Sequence, residues 1–162
     1  MTADTPTLPA RDRAVILILL VATFVVILNE TIMNVALPRL MTDLGISAST
    51  AQWLSTAFML TMAVVIPVTG FLLQRLSTRT VFLLAMTLFS LGTLLAALST
   101  GFVPLLVARV VQASGTAIIL PLLITTVLTL VPGRMRGAVM GRVSIVISVA
   151  PAIGPTISGL IL

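Results

Sequence analysis

Leu28-Asn29-Glu30-Thr31-Ile32-Met33-Asn34-Val35-Ala36-Leu37-Pro38 closes the first long apolar run of the chain and holds the one acidic residue found inside any such run. A carboxylate at membrane depth costs about 2.5 to 3.5 kcal/mol on insertion scales, so Glu30 is read as a group with a partner and a task. The composition around it says that the solvent is a bilayer. Of the 162 residues 59% are hydrophobic and only 8% are charged, whereas soluble domains carry about 25% charged residues. Five apolar runs of roughly 19 to 28 residues match the roughly 20 needed to cross a hydrocarbon core. The fold expected is therefore an all-α membrane protein, a polytopic helical bundle of about five transmembrane helices.

Working outward from Glu30, residues 1–13 read as a polar, Pro-punctuated cytoplasmic tail too short and too charged to fold. Residues 14–162 read as an incomplete N-terminal transmembrane bundle, with spans at 14–37, 51–73, 80–98, 103–130 and 142–162. The first run exceeds the roughly 7 to 15 apolar residues of a signal peptide and ends in Asn, Glu and Pro, so it is kept as a span. Pro38, which has no backbone N–H, is expected to stop the first helix. Ser47, Ser49 or Thr50 is expected to cap the second, and Trp53 near its start suits a ring anchored at the membrane interface. Loops follow at Gln74 to Arg79, Ser99 to Phe102 and Pro132 to Gly141.

All nine basic residues are Arg, and their distribution sets the orientation. Arg11, Arg13, Arg75, Arg79, Arg134, Arg136 and Arg142 fall on one side of the alternating spans, against Arg39 on the other, where Asp43 offsets it. The positive-inside rule then places the N-terminus in the cytoplasm of a multi-pass protein of the cell membrane. The arginines are scattered between apolar runs with few aromatics beside them, so topology explains them and nucleic acid is not expected as a partner. Neither Cys nor His occurs, which removes disulfides, thiolate nucleophiles and imidazole bases. With one intramembrane carboxylate and no P-loop, no enzyme, cofactor or metal site is expected.

Arg109 is the second charge inside a span. Glu30 lies eight residues before Pro38 and Arg109 six residues after Val103, which puts them about 12 Å and about 9 Å in from the same side. Each belongs to a polar stripe: Thr23, Glu30 and Asn34 on one helix, Arg109, Gln112 and Thr116 on the other. Two stripes at one depth suggest a common wet cavity lined by Asn34, Gln112 and Thr116. Two readings of the charges stay open. They form a structural ion pair that holds two helices together, or Glu30 takes up and releases a proton, since burial favours the neutral acid and a nearby cation favours the carboxylate. In the fifth span, Ser148, Ala152, Pro155 and Gly159 form a small-residue face that admits another helix closely, and Pro67, Pro121, Pro151 and Pro155 loosen the spans they occupy.

These residues carry a resemblance. Leu28 to Pro38 is similar to the first-helix signature Leu-Asp-x-Thr-Ile-Val-Asn-Val-Ala-Leu-Pro of the 14-helix, multidrug-resistance proton antiporters within the major facilitator superfamily. Gly70-Phe71-Leu72-Leu73-Gln74-Arg75-Leu76-Ser77-Thr78-Arg79 resembles that superfamily's loop between helices two and three, Gly-x-Leu-Ala-Asp-Arg-x-Gly-Arg-Lys/Arg. Leu106 to Gly115 is similar to the fourth-helix motif with Arg-x-x-Gln-Gly. Ala150-Pro151-Ala152-Ile153-Gly154-Pro155-Thr156-Ile157-Ser158-Gly159 resembles the fifth-helix antiporter motif, Gly-Pro-x-x-Gly-Gly. The departures are Asn29 and Gln74 at two Asp positions, Ser77, Ala113 and Ser158 at three Gly positions, and a carboxylate displaced to Glu30.

The resemblance implies the N-terminal segment of a proton-coupled secondary transporter that exports drugs or other amphipathic compounds. Its partners would be the lipid bilayer, protons, a small amphipathic substrate and the missing C-terminal helices. It implies proton coupling at Glu30 and Arg109, a cytoplasmic loop at Gly70, Arg75 and Arg79, and a helix-five seal at Pro151, Gly154, Pro155 and Gly159. The alternative is a non-transporting membrane interaction protein or a truncated remnant. The orientation is open to test because the background is free of cysteine. Thr78→Cys should react with a membrane-impermeant maleimide only from the cytoplasmic side and Ser49→Cys only from the outer side. Labelling of both from one side would contradict the assignment.

Overall fold

The computed structural model describes residues 8–161, with side chains described through residue 159. Residues 1–7 of the expected 1–13 tail and the last residue of the expected fifth span lie outside the described residues. Five helices follow one another: α1 (Ala10–Leu44), α2 (Ala48–Arg75), α3 (Thr78–Ala97), α4 (Phe102–Leu130) and α5 (Gly133–Ile161). All five are long and apolar enough to cross a membrane. The alternation gathers the start of α1, the α2–α3 turn and the α4–α5 turn at one end, which is the arginine-rich end.

The helix bounds differ from the expected spans except at the end of α4, which is Leu130 as expected, and two differences are physical corrections. Pro38 lies inside α1 and does not end it. Its ring removes one N–H, at the carbonyl of Asn34, but the helix continues for six more residues to Leu44. The stop is Gly45, in the left-handed region at φ 61°, with the Ile46 N–H donating to the Met41 carbonyl at 3.1 Å. That is the glycine-terminated closure that satisfies the last free carbonyls of a helix. Likewise the expected loop at 132–141 shrinks to Val131 and Pro132, and α5 takes up Arg134, Arg136 and Gly141. Arg136 Nε donates to the Val131 carbonyl at 2.9 Å, a cation on the carbonyl end of α4 where the helix dipole favours it. The expected tail residues Ala10 to Arg13 are helical as well. Ser47 caps α2, accepting from the Thr50 N–H at 3.3 Å, and Ser77 caps α3 in the same way from Thr80 at 3.2 Å.

α4 is the axis of the bundle and packs against each of the other four helices; α1 also packs along α5. Apolar side chains such as Leu17, Ile18, Val21, Leu60, Val64 and Leu83 are exposed, while Thr23, Thr69, Arg109, Gln112, Thr116, Thr126 and Ser158 are buried. The interior is still largely apolar, with Leu19, Leu54, Phe58, Ile118 and Leu122 among the buried residues. The exposed leucines follow from the solvent, since lipid accepts them, and most buried polar groups bond within the bundle. Because lipid supplies no hydrophobic drive between helices, the closest contacts form where side chains are absent. A Cβ on Gly92 of α3 would overlap the backbone of Gln112 on α4, and one on Gly115 of α4 would overlap Ala85 and Phe89 of α3. On α5, a Cβ at Gly154 would overlap the side chain of Thr31 on α1, with Thr31 Cβ at 2.7 Å.

Gly92→Ala and Gly115→Ala should each destabilise the bundle by about 1 to 3 kcal/mol, the usual cost of overfilling a packed contact. Gly70→Ala, which meets nothing within 4 Å, should stay within about 0.5 kcal/mol of the parent. Reversible unfolding in detergent micelles measures all three. Equal stability of the three variants would contradict the packing described.

Candidate functional site

The two intramembrane charges are brought to one region where α1 passes α4. Glu30 is half-buried on α1, and Arg109 is 1% exposed on α4. The two are near enough to interact electrostatically. Among the described residues, however, no hydrogen bond or ion pair within 4 Å joins them, and the ion pair present is Arg39 with Asp43, at 3.9 Å near the far end of α1. The simple ion pair, one of the two readings left open by the sequence, is thus not the geometry observed.

Arg109 is held by other groups. Its Cζ lies 4.1 Å from the centroid of the Phe58 ring on α2, a cation over an aromatic face. Its Nη1 donates to Gln112 Oε1, one turn further along α4. Gln112 Nε2 in turn donates to Thr93 Oγ1 on α3 at 2.9 Å. Thr93 Oγ1 gives its own hydrogen to the Phe89 carbonyl at 2.8 Å, so towards Gln112 it acts as acceptor. Gly92, one residue before Thr93, is what lets α3 approach α4 at Gln112. Arg109 Nε is buried without a hydrogen-bond partner among the described residues.

The magnitudes show why this suffices. A cation at membrane depth costs about 2.5 to 3.5 kcal/mol on insertion scales. A desolvated cation–π contact contributes about 2 kcal/mol and a hydrogen bond to a charged group about 1.5 to 3 kcal/mol. Phe58 and Gln112 together offset the burial of Arg109 without a bonded carboxylate. Arg109 is thus seated by contacts other than a bond to Glu30.

The other residues singled out in the sequence are distributed as follows. Gln112 and Thr116 are buried on α4, and Thr116 Oγ1 donates to the Gln112 carbonyl at 3.1 Å. Asn34 is exposed and accepts from Ser55 of α2 at 3.1 Å. None of these three lines the cleft of about 750 Å³ that opens at the arginine-rich end between α1, α3 and α4; Arg11, Asp12, Val15, Arg79 and Phe82 are among the residues that do. Gly70 and Arg75 are exposed near the end of α2, with Arg75 Cζ 4.7 Å from the Phe71 ring centroid. On α5, Gly154 is buried against Thr31, the residue after Glu30, while Pro151, Pro155 and Gly159 are exposed. Ser158 Oγ is buried without a partner among the described residues.

Phe58 and Thr93 escaped the sequence reading. Phe58 is one of six phenylalanines in a chain of apolar runs, and nothing in its neighbours distinguishes it. Thr93 had a weak signal, a hydroxyl following a glycine in a span with no charge after Arg79.

With this geometry in place the comparisons with known proteins become specific. The family model for the Major Facilitator Superfamily matches residues 19–162. The chain is similar to the uncharacterized MFS-type transporter YcnB of Bacillus subtilis, 48% identical over 149 residues that cover 91% of this chain and 32% of that protein. It is similar to the lincomycin resistance protein LmrB of Bacillus subtilis, 47% identical over 144 residues, 89% of this chain and 30% of that protein. It is also similar to the multidrug export protein EmrB of Haemophilus influenzae, 35% identical over 154 residues, 93% of this chain and 30% of that protein. The chain spans about a third of the length of these relatives. Five membrane-length helices and a family match over nearly the whole chain lead to one conclusion: this multi-pass membrane chain belongs to the Major Facilitator Superfamily.

Proposed function

We propose that the chain is the N-terminal segment of a proton-coupled secondary transporter that exports drugs or other amphipathic compounds across the cell membrane, with its N-terminus in the cytoplasm. The observation that carries this reading is the half-buried Glu30, close to a buried Arg109 that is secured by Phe58 and Gln112 instead of by Glu30. A carboxylate in that position feels the cation but owes it no bond, so small helix movements change which protonation state is favoured. Each proton entering down a 100 mV potential supplies about 2.3 kcal/mol. Relatives named for lincomycin resistance and multidrug export support an amphipathic substrate.

In this reading Glu30 carries the coupled proton and Arg109 tunes it. Asn34, exposed on α1, borders the cavity that further helices would complete, and Gln112 and Thr116 lie behind it within the bundle. Gly154, pressed on Thr31 beside Glu30, makes the α1–α5 contact a seal whose opening Glu30 can sense, with Pro151, Pro155 and Gly159 giving α5 the flexibility to move. Gly70 and Arg75 near the end of α2 and Arg79 at the start of α3 flank the cytoplasmic turn. In this reading the substrate crosses the membrane with its bonds intact, which is transport and not enzymatic turnover.

Glu30→Gln, placed in a full-length transporter carrying this segment, should abolish proton-driven efflux while leaving substrate exchange down its own gradient. Proton-driven efflux equal to that of the parent would contradict the role of Glu30. Vesicles containing the 162-residue chain alone should show no proton-driven efflux, and efflux from them would contradict the view that the segment works only with further helices.

A further inference from the structure

We propose that Thr93 of α3 is a positioning residue for Arg109: it orients the Gln112 amide, which holds the guanidinium on the Phe58 ring and away from a direct bond with Glu30. The inference rests on the reading of Glu30 and Arg109 as the proton site, and it adds to that site two helices, α2 and α3, whose contributing residues lie outside every motif noted in the sequence.

The polarity of the chain of bonds carries it. Thr93 Oγ1 has one hydrogen, and that hydrogen goes to the Phe89 carbonyl at 2.8 Å. Towards α4 the hydroxyl can only accept, so Gln112 presents its NH₂ there, at 2.9 Å. The amide is thereby turned with Oε1 towards Arg109, and Oε1 is the atom that accepts from Nη1. Without the Thr93 acceptor the two ends of the Gln112 amide are no longer distinguished, and an amide turned the other way would offer Arg109 a donor. The geometry depends on Gly92, since any side chain there would push α3 off the backbone of Gln112 and lengthen the Thr93 bond.

The surroundings leave few other groups able to hold the guanidinium. α2 carries no charged residue before Arg75, α3 none after Arg79, α4 none besides Arg109, and α5 none between Arg142 and Ile161. On α1 the facing charge is Glu30, while Arg11, Asp12 and Arg13 lie in its first turn at the arginine-rich end and Arg39 and Asp43 pair with each other near its far end. A guanidinium released from Gln112 therefore has Glu30 as its nearest opposite charge. Such a bond would tie the carboxylate to a permanent cation and change the pH at which it takes a proton.

The test has two arms. In the first, ¹⁵N-labelled chain in lipid nanodiscs is observed by NMR for the arginine Nη signals. A guanidinium anchored at Nη1 rotates slowly and gives separate signals, whereas the exposed arginines average. One resolved set, absent in Arg109→Lys, is expected in the parent and in Thr93→Ser, and it should merge in Thr93→Val, which keeps the shape of threonine. Gln112→Met should merge it too, as a second variant. Resolved signals persisting in Thr93→Val would overturn the proposal. In the second arm, the pH profile of efflux is measured in a full-length transporter carrying the segment. Thr93→Val should displace it by about one pH unit, the size of effect that moving a neighbouring charge produces, and Thr93→Ser should restore it. A profile unmoved by Thr93→Val overturns the proposed effect on proton coupling. Merged signals with an unmoved profile would also count against Glu30 and Arg109 as the coupling site, so a failure of the proton reading is told apart from a failure of the positioning itself.

Discussion

Keeping one guanidinium charged and dry at membrane depth is the constraint on which this bundle depends. Arg109 sits on α4, the helix that touches all the others, and the groups that make its burial tolerable come from three directions. Phe58 brings α2, Gln112 extends along α4 to Thr93 of α3, and Glu30 supplies the opposite charge from α1. Phe58 and Gln112 offset the cost of burial, so Glu30 stands as a nearby charge and not as a bonded partner. In the proposed reading that division separates the fixed guanidinium from the carboxylate that takes up the proton.

Glycine packing serves the same end. Gly92 and Gly115 seat α3 on α4 at the level of Gln112, and Gly154 seats α5 on α1 at Thr31, beside Glu30. The rigid contact supports the arginine, and the contact on the proline-containing α5 adjoins the carboxylate. In a solvent that supplies no hydrophobic drive between helices, missing side chains do the positioning that leucines do in a soluble core.

Much of this was legible in the residues. Composition and run length give five membrane helices, and the depth argument places Glu30 level with Arg109 although it took Pro38 as the end of a helix that runs on to Leu44. Pro38 misled because a helix tolerates the loss of one bond when the next residues continue to be satisfied; Gly45, with its left-handed backbone, was the true stop. Pro132 to Gly141 read as a loop because it is polar, yet Arg136 reaches back to the α4 carbonyl and the helix starts at Gly133. The partners of Arg109 were the least legible part of the site. Gln112 announced itself by spacing along α4, but Phe58 and Thr93 join it only through packing between helices far apart in sequence.

The central claim is that Glu30 titrates beside an arginine seated independently of it. The most direct measurement is proton release on substrate binding, followed with a pH indicator in weakly buffered detergent solution of a full-length transporter carrying this segment. Substrate should displace a proton from the parent protein and none from Glu30→Gln, although both bind the substrate. Equal proton release from the two proteins would contradict the account.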